Sequence, residues 1–370
     1  MRQGPAYLTP LAVVLVLGLV ATLSPIPKFL TDKDVYEQMS REWVIPNCDD
    51  LQCFRVLVPI TLGFIPIGSG YLKWRAYAVV CEAVAAVLMG RWVRMLGASH
   101  RASQQVTWLT ALGAGSLYTL FDPFTADPLM HAMGPLLMVL LFGGWILTAA
   151  LVAAAGVFGK EFAAVPLFVA GVTWLQQRRI AHSVRALVAF GCVVAIWSAW
   201  QLSSRAVWNY APVQHSGKLL EGAFLAFWLA NIGPALAVVS IAAAFGALWI
   251  LWPAGVAWGT RELRQLTVAA MLPLLFFNYV QQPDRALWNF AFAVMPAAAV
   301  VLDRIPAALG WLLVAVQALL NLRIGAQLPF VPPVRATLVA AMALGLVIVW
   351  RAWSAIDTSP APHKAVPYTS

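Results

Sequence analysis

Apolar residues in this chain come in blocks, at 11–27, 75–97, 105–121, 128–142, 145–158, 162–177, 183–203, 229–252, 265–280, 287–302, 305–321 and 336–352. Blocks of that length without alternation argue against half-buried strands and predict helices; a helix crossing a bilayer upright needs roughly 20 apolar residues. About twelve spans follow, several short enough to be tilted, broken or enclosed within a bundle. The expected fold is therefore all-α and polytopic. It comprises a single transmembrane helical domain over residues 1–352 and a short cytoplasmic tail, expected to be disordered, over 353–370. The stretch from Leu129 to Phe158 reads as one long span or two short ones, and Gly143-Gly144 favours two. The first polar connection, 28–74, is long. Within it, Arg55-Val56-Leu57-Val58-Pro59-Ile60 and Ile65-Pro66-Ile67 are too short and too Pro-rich to span, and predict short interfacial helices on the outer side.

Composition turns this pattern into a membrane setting. Hydrophobic residues make up 61% of the chain, charged residues 11%, and mean hydropathy is +0.79, whereas soluble domains are about 25% charged. Orientation follows from Arg91, Arg94 and Arg101, from Arg178 and Arg179, and from Arg261 and Arg264, all in short connections; placing them in the cytoplasm puts both termini inside. Acidic residues then divide unevenly. Glu82 falls within a span and Glu262, Asp303 and Asp357 fall inside, while every other Asp and Glu faces outward. The net charge of +9 comes with no long basic run, so it reads as membrane orientation and excludes nucleic acid as a partner. The 17 Trp and 8 Tyr fit interfacial belts. No Ala-x-Ala pattern follows the apolar core at 11–19, so the first segment is expected to stay as a helix.

Candidate chemistry sits at the outer segment ends. Asp32 and Asp34 follow the first block, and a helix extended by one turn would aim one of them into the bundle; Asp34 with Tyr36 is the favoured pair, Asp32 the alternate, and a solvated loop the plain alternative. Asp127 lies between Pro123 and Pro128, with His131 one helical turn later, where Thr125 or Asp127 would serve as N-cap or face a substrate. Lys160 and Glu161 join two apolar segments with almost no loop, and Asp284 with Arg285 occupies a similar position beside Gln281. Charges there either pair structurally or hold a phosphate or carboxylate, and Arg offers the planar fork suited to phosphate. Glu82 must pair or be protonated; Arg75, about two turns away, is the candidate partner. Cys48 and Cys53 lie in the outer loop, where an oxidising compartment would permit a disulfide, while Cys81 and Cys192 read as core residues.

Taken in order, Asp34-Val35-Tyr36, Phe54 to Pro59, Thr125-Ala126-Asp127, Gly159-Lys160-Glu161 and Asp284-Arg285 followed by an apolar run to Pro296 resemble the bacterial integral-membrane glycosyltransferases of the GT-C superfamily, over about residues 7–300. That resemblance implies transfer of a sugar from a polyprenyl-phosphate donor to a lipid or glycan acceptor, at the outer face of a bacterial inner membrane. It makes Asp34, or Asp32, the base. Lys160 and Arg285 would hold donor phosphate, and Asp127 and Glu161 would shape the acceptor or sugar site. Tyr36, Arg55, His131, Gln281 and Asp284 complete the expected substrate contacts. A divalent cation, magnesium or manganese, would fit near Asp32, Asp34 and Asp127, although no spacing demands one. The chain departs from the many members that carry a soluble C-terminal domain, and its modest outer loops disfavour a protein acceptor. The rival readings are a transporter or flippase of a lipid-linked or polar solute, with Glu82 as proton relay, and a non-catalytic membrane partner.

Overall fold

The computed structural model describes residues 8–27, 32–48, 50–66, 68–210, 223–274 and 283–356. Among them the chain is helical, with no strand. α1 (Leu8–Leu23) is followed by two short helices in the first loop, α2 (Lys33–Glu42) and α3 (Leu57–Gly63), with the tight turn Leu51–Phe54 between them. The next elements are α4 (Gly70–Met95), α5 (His100–Ala111), α6 (Ala114–Phe121), α7 (Asp127–Phe142), α8 (Ile146–Gly156), α9 (Val165–Gln176) and α10 (Ile180–Trp208). α11 (Ala223–Ile232), α12 (Pro234–Phe245), α13 (Leu248–Trp258) and α14 (Arg261–Leu274) follow. α15 (Pro283–Trp288), α16 (Ala291–Leu302), α17 (Ala307–Ile324) and α18 (Val334–Ile356) complete the order. α18 therefore runs past the expected end of the last segment at 352.

Four helices, α4, α10, α17 and α18, are long and apolar enough to cross a membrane, and α12 with α13 makes a fifth if the bent pair is one span. Further apolar helices of 10–17 residues include α1, α7, α8 and α16. Side-chain placement supports a lipid setting. α10 buries only Ser183, Ala186, Val193 and Ser204, while Val184, Val188, Leu202 and Val207 are exposed. Small residues inward with bulky apolar ones outward is the packing of helices whose surroundings are as apolar as their neighbours.

Local chemistry explains the breaks that position the site. α7 ends where Gly144 takes φ +86°, letting Trp145 N–H donate to Leu140 O at 2.8 Å and Gly144 N–H to Leu141 O at 3.0 Å. This left-handed cap separates α7 from α8, so the stretch holds two helices. α12 and α13 meet at 56°. Gly246 turns there at φ +51°, and the Gln317 amide lies where a Cβ would stand, its oxygen accepting from Ala247 N–H at 3.2 Å. α4 runs through the middle of the bundle, packed by α1, α5, α7 and α16. It approaches α5 closely at Gly90, whose carbonyl accepts from Ser103 Oγ at 2.9 Å, and Trp92 Nε1 donates to Phe292 O of α16 at 2.9 Å.

Candidate functional site

The N-terminus of α7 is the meeting point of the charged clusters. Asp127, 1% exposed, is the first residue of that helix and Pro128 the second, a position at which proline's missing N–H costs nothing. Neither Thr125 nor Asp127 is the N-cap residue: that place is Ala126, and Thr125 Oγ1 accepts from Asp127 N–H at 3.3 Å. The Asp127 carboxylate is taken instead by two cations. Lys160 Nζ bonds one oxygen, and Arg285 Nη2 sits 2.6 Å from the other. Arg285 also donates to Thr125 Oγ1 at 3.2 Å and lies over the Tyr118 ring, 5.3 Å from its centroid. Two cations on its two oxygens make an ion triad.

The turn after α8 completes the cluster. Lys160 is in extended conformation, so it and Glu161 point different ways: Lys160 to Asp127, Glu161 to Arg55 Nη2 at 2.9 Å. Arg55 is brought there because Leu57 N–H, at the start of α3, donates to Phe158 O at 3.0 Å. Tyr36 of α2 is buried against Trp74, with ring centroids 5.3 Å apart, close to the Arg55 guanidinium. Burial pushes that phenol above its ordinary value, so it is a neutral hydroxyl. Cys48 and Cys53 are joined in a disulfide. Within the bridged loop Gln52 Nε2 donates to Asp32 Oδ1 at 3.0 Å, while Asp50 accepts from Gln52 N–H at 3.2 Å.

Two carboxylates face the cluster without an ion-pair contact. Burial raises Asp32 above its ordinary range, against the opposing pull of Arg285 and Arg55. Burial likewise raises Asp122, at the end of α6, to about 6, with Arg285 again opposing. Asp122 Oδ1, Arg55 Nε and Glu161 Oε2 are buried and unpartnered. Buried polar atoms of this kind are costly unless a ligand or water meets them.

Several expected site residues lie elsewhere. Asp34 is exposed, and its side chain makes no hydrogen bond or ion pair among the described residues. α2 begins at Lys33, directly after Asp32, so Asp34 falls in the first helical turn, where a carboxylate sits favourably at the positive end of the dipole and faces water. Asp284 accepts from Arg285 N–H at 2.9 Å, an interaction within its own turn. Gln281 lies outside the described residues. His131 turns away from the cluster: its Nδ1 is 2.7 Å from Glu82 Oε1. Glu82 is fully buried, with Ser116 Oγ at 2.8 Å and Thr119 Oγ1 at 2.9 Å from its oxygens. Arg75 is not its partner, since its guanidinium donates to Ser24 O at 2.9 Å and lies over Tyr71. α4 places Arg75 in its second turn, where the cation reaches the Ser24 and Pro25 carbonyls just past α1 rather than the bundle interior.

The divalent-cation expectation does not fit this arrangement. Asp34 faces solvent, Asp127 is occupied by two cations, and among the described residues no group of three His, Cys, Asp or Glu side chains could hold a metal ion. Asp122, Gln52 and Tyr118 escaped the sequence reading; the one signal for Asp122 was its place before Pro123 at a helix end. The chain matches no protein-family model and no curated protein, so its own geometry carries the functional reading.

Proposed function

We propose that this chain is an integral-membrane glycosyltransferase of GT-C type, moving a sugar from a polyprenyl-phosphate donor to a lipid or glycan acceptor. The observation that carries the reading is the convergence of Arg55, Lys160 and Arg285 with Asp32 and Asp127 at one end of an apolar bundle. An amphipathic donor needs that combination: cations for its phosphate beside apolar helices for its tail. In this reading Asp127 holds Lys160 and Arg285 ready, and both share their donors with the phosphate when it arrives. Asp32, not Asp34, is the base. It takes the acceptor hydroxyl's proton as that oxygen bonds the anomeric carbon, while the bond from that carbon to the phosphate oxygen breaks and the cations receive the phosphate charge. Its burial suits it, because a carboxylate raised towards neutrality accepts a proton more readily.

The disulfide supports a site on the oxidising, outer side, since Gln52 within the bridged loop bonds Asp32. The proposal includes the bacterial inner membrane and about twelve segments, the shorter apolar helices crossing as tilted or interrupted spans. The test is sugar transfer in proteoliposomes from a panel of polyprenyl-phosphate sugars. Asp32→Asn is expected to lower turnover by about 10²- to 10⁴-fold, and Asp34→Asn to leave it within a factor of about two. Full activity in Asp32→Asn overturns the base assignment.

One observation favours a transporter as the second reading: the 56° break between α12 and α13 lies on a cavity that His131 and Ser116, partners of the buried Glu82, also line. Solute uptake by proteoliposomes that transfer no sugar, abolished in Glu82→Gln, would decide for it.

A further inference from the structure

Asp32 is held by the loop that follows α2. It stands at the N-cap position of that helix, but its side chain takes none of the helix's N–H groups. Among the described residues its carboxylate has one hydrogen-bond partner: Gln52 Nε2 donates to Oδ1 at 3.0 Å, and Oδ2 is left without one. A glutamine side chain has several rotatable bonds, and holds a partner in one place only where its own backbone is fixed. Here the backbone is fixed from several sides. The Cys48–Cys53 bridge closes the loop around Gln52. Inside it, Asp50 Oδ1 accepts from Gln52 N–H at 3.2 Å and Asp50 O from Cys53 N–H at 3.2 Å, while Gln52 O accepts from Arg55 N–H at 2.9 Å. The loop is docked on the end of α10. Trp200 Nε1 donates to Phe54 O at 3.0 Å, Asn47 N–H to Trp208 O at 2.9 Å, and the Phe54 ring meets Tyr210 edge-on at 5.2 Å. Cys53 and Phe54 are fully buried there.

One turn thus serves two parts of the ion cluster. Gln52 reaches the carboxylate of Asp32, and Arg55, at the end of the same turn, reaches Glu161 at 2.9 Å. Asp32 is surrounded by charge of both signs: Arg285 and Arg55 favour its ionised form, Asp50, Asp127 and Asp122 oppose it, and the Tyr36 phenol lies near it as a neutral group. None of them bonds it. A donor 3.0 Å from one oxygen stabilises the carboxylate and orients it, which leaves the other oxygen to receive a proton. Anchoring of α2 does not need this contact. Tyr36 and Met39 supply it, both buried beneath the helix.

We propose that Gln52 is the positioning residue for Asp32, and that the Cys48–Cys53 bridge holds Gln52 in place to act so. The role of Asp32 as base rests on the sugar-transfer reading; its coupling to Gln52 does not. The test is labelling of the full-length protein in detergent, as a function of pH, with dicyclohexylcarbodiimide, which modifies carboxyl groups in their protonated form. Fragment-ion mass spectrometry resolves Asp32 from Asp34. Gln52→Ala is expected to raise the pH midpoint of Asp32 labelling by about 0.5–1 pH unit, because the carboxylate loses its donor. Gln52→Lys, which returns a donor of similar reach with a positive charge, is expected to bring the midpoint below that of the parent. Cys48→Ser combined with Cys53→Ser, in protein that remains monodisperse, is expected to raise it as Gln52→Ala does. In sugar transfer, the acid limb of kcat/KM is expected to move up with the Gln52→Ala midpoint. A Gln52→Ala midpoint equal to the parent's, or a Gln52→Lys midpoint above it, overturns the positioning of Asp32 by Gln52. A parent-like midpoint in the monodisperse double-serine variant overturns the part given to the bridge. A shifted midpoint together with full transfer by Asp32→Asn upholds the positioning and overturns the base assignment alone.

Discussion

Helix α7 carries two buried polar clusters one turn apart, and they are built on opposite plans. At its first residue, Asp127 is bound by Lys160 and Arg285, with Arg55 and Glu161 paired alongside. One turn deeper, His131 meets Glu82, whose remaining oxygen capacity is taken by the hydroxyls of Ser116 and Thr119. The outer cluster draws charges from turns and helix starts far apart in sequence. The inner one draws its groups from three helix interiors. An arrangement of long flexible cations around carboxylates can exchange a partner for an incoming anion; a carboxylate fixed by short hydroxyls holds one imidazole in one orientation. The first plan suits binding of a charged group at the edge of the bundle, the second suits presenting a single polar atom to an enclosed space.

The sharpest way to break this contrast is to remove the shared carboxylate of the outer cluster. Asp127→Ala leaves Lys160 and Arg285 part-buried beside each other without their shared carboxylate, and should cost about 3–5 kcal/mol, read as a lowered unfolding midpoint in detergent. A change below about 1 kcal/mol would mean that water already screens the cluster, and that it is not a buried ion site. Next in size is Glu82→Ala, which strips His131, Ser116 and Thr119 of a common acceptor. About 2–3 kcal/mol is expected, without change in the retention of an anionic probe such as inorganic phosphate by the outer cluster. Loss of phosphate retention in that variant would show the two clusters to be one unit.

The smallest effect concerns Asp122. Its carboxyl is raised in the folded state from the ordinary 3.8 to about 6, so the folded chain holds this proton more tightly than the unfolded chain. Its contribution to stability is therefore fully present below pH 3.8 and is lost as pH rises through about 6. Asp122→Asn should flatten that part of the profile of unfolding midpoint against pH. An unchanged slope between about pH 4 and 6 would place Asp122 in water, outside the cluster.

The outer cluster was largely legible in the sequence, because Asp127, Lys160, Glu161 and Arg285 all interrupt apolar blocks at their ends, where charge is costly without a partner. The pairing was not. Lys160 and Glu161 are neighbours in the chain yet serve different partners, and the reason, an extended backbone at Lys160 and a hydrogen bond from Leu57 to Phe158, is set by packing. Glu82 stood out for the same cost argument, but its partner came from α7 and not from its own helix, since interhelical distance and not sequence spacing decides who meets a side chain in a bundle. Asp122 gave almost no signal: a lone acidic residue at a helix end is usually solvated, and only burial in the folded chain changes its chemistry.

By itself the sequence determined what local physics controls. Long apolar blocks make helices, a glycine pair separates α7 from α8, and charges collect at segment ends because a charge is costly in the middle of an apolar block. Tertiary structure alone decided which carboxylate faces inward. The start of α2 at Lys33 leaves Asp32 outside the helix as its N-cap, where Gln52 of the bridged loop bonds it, and puts Asp34 in the first turn, facing solvent.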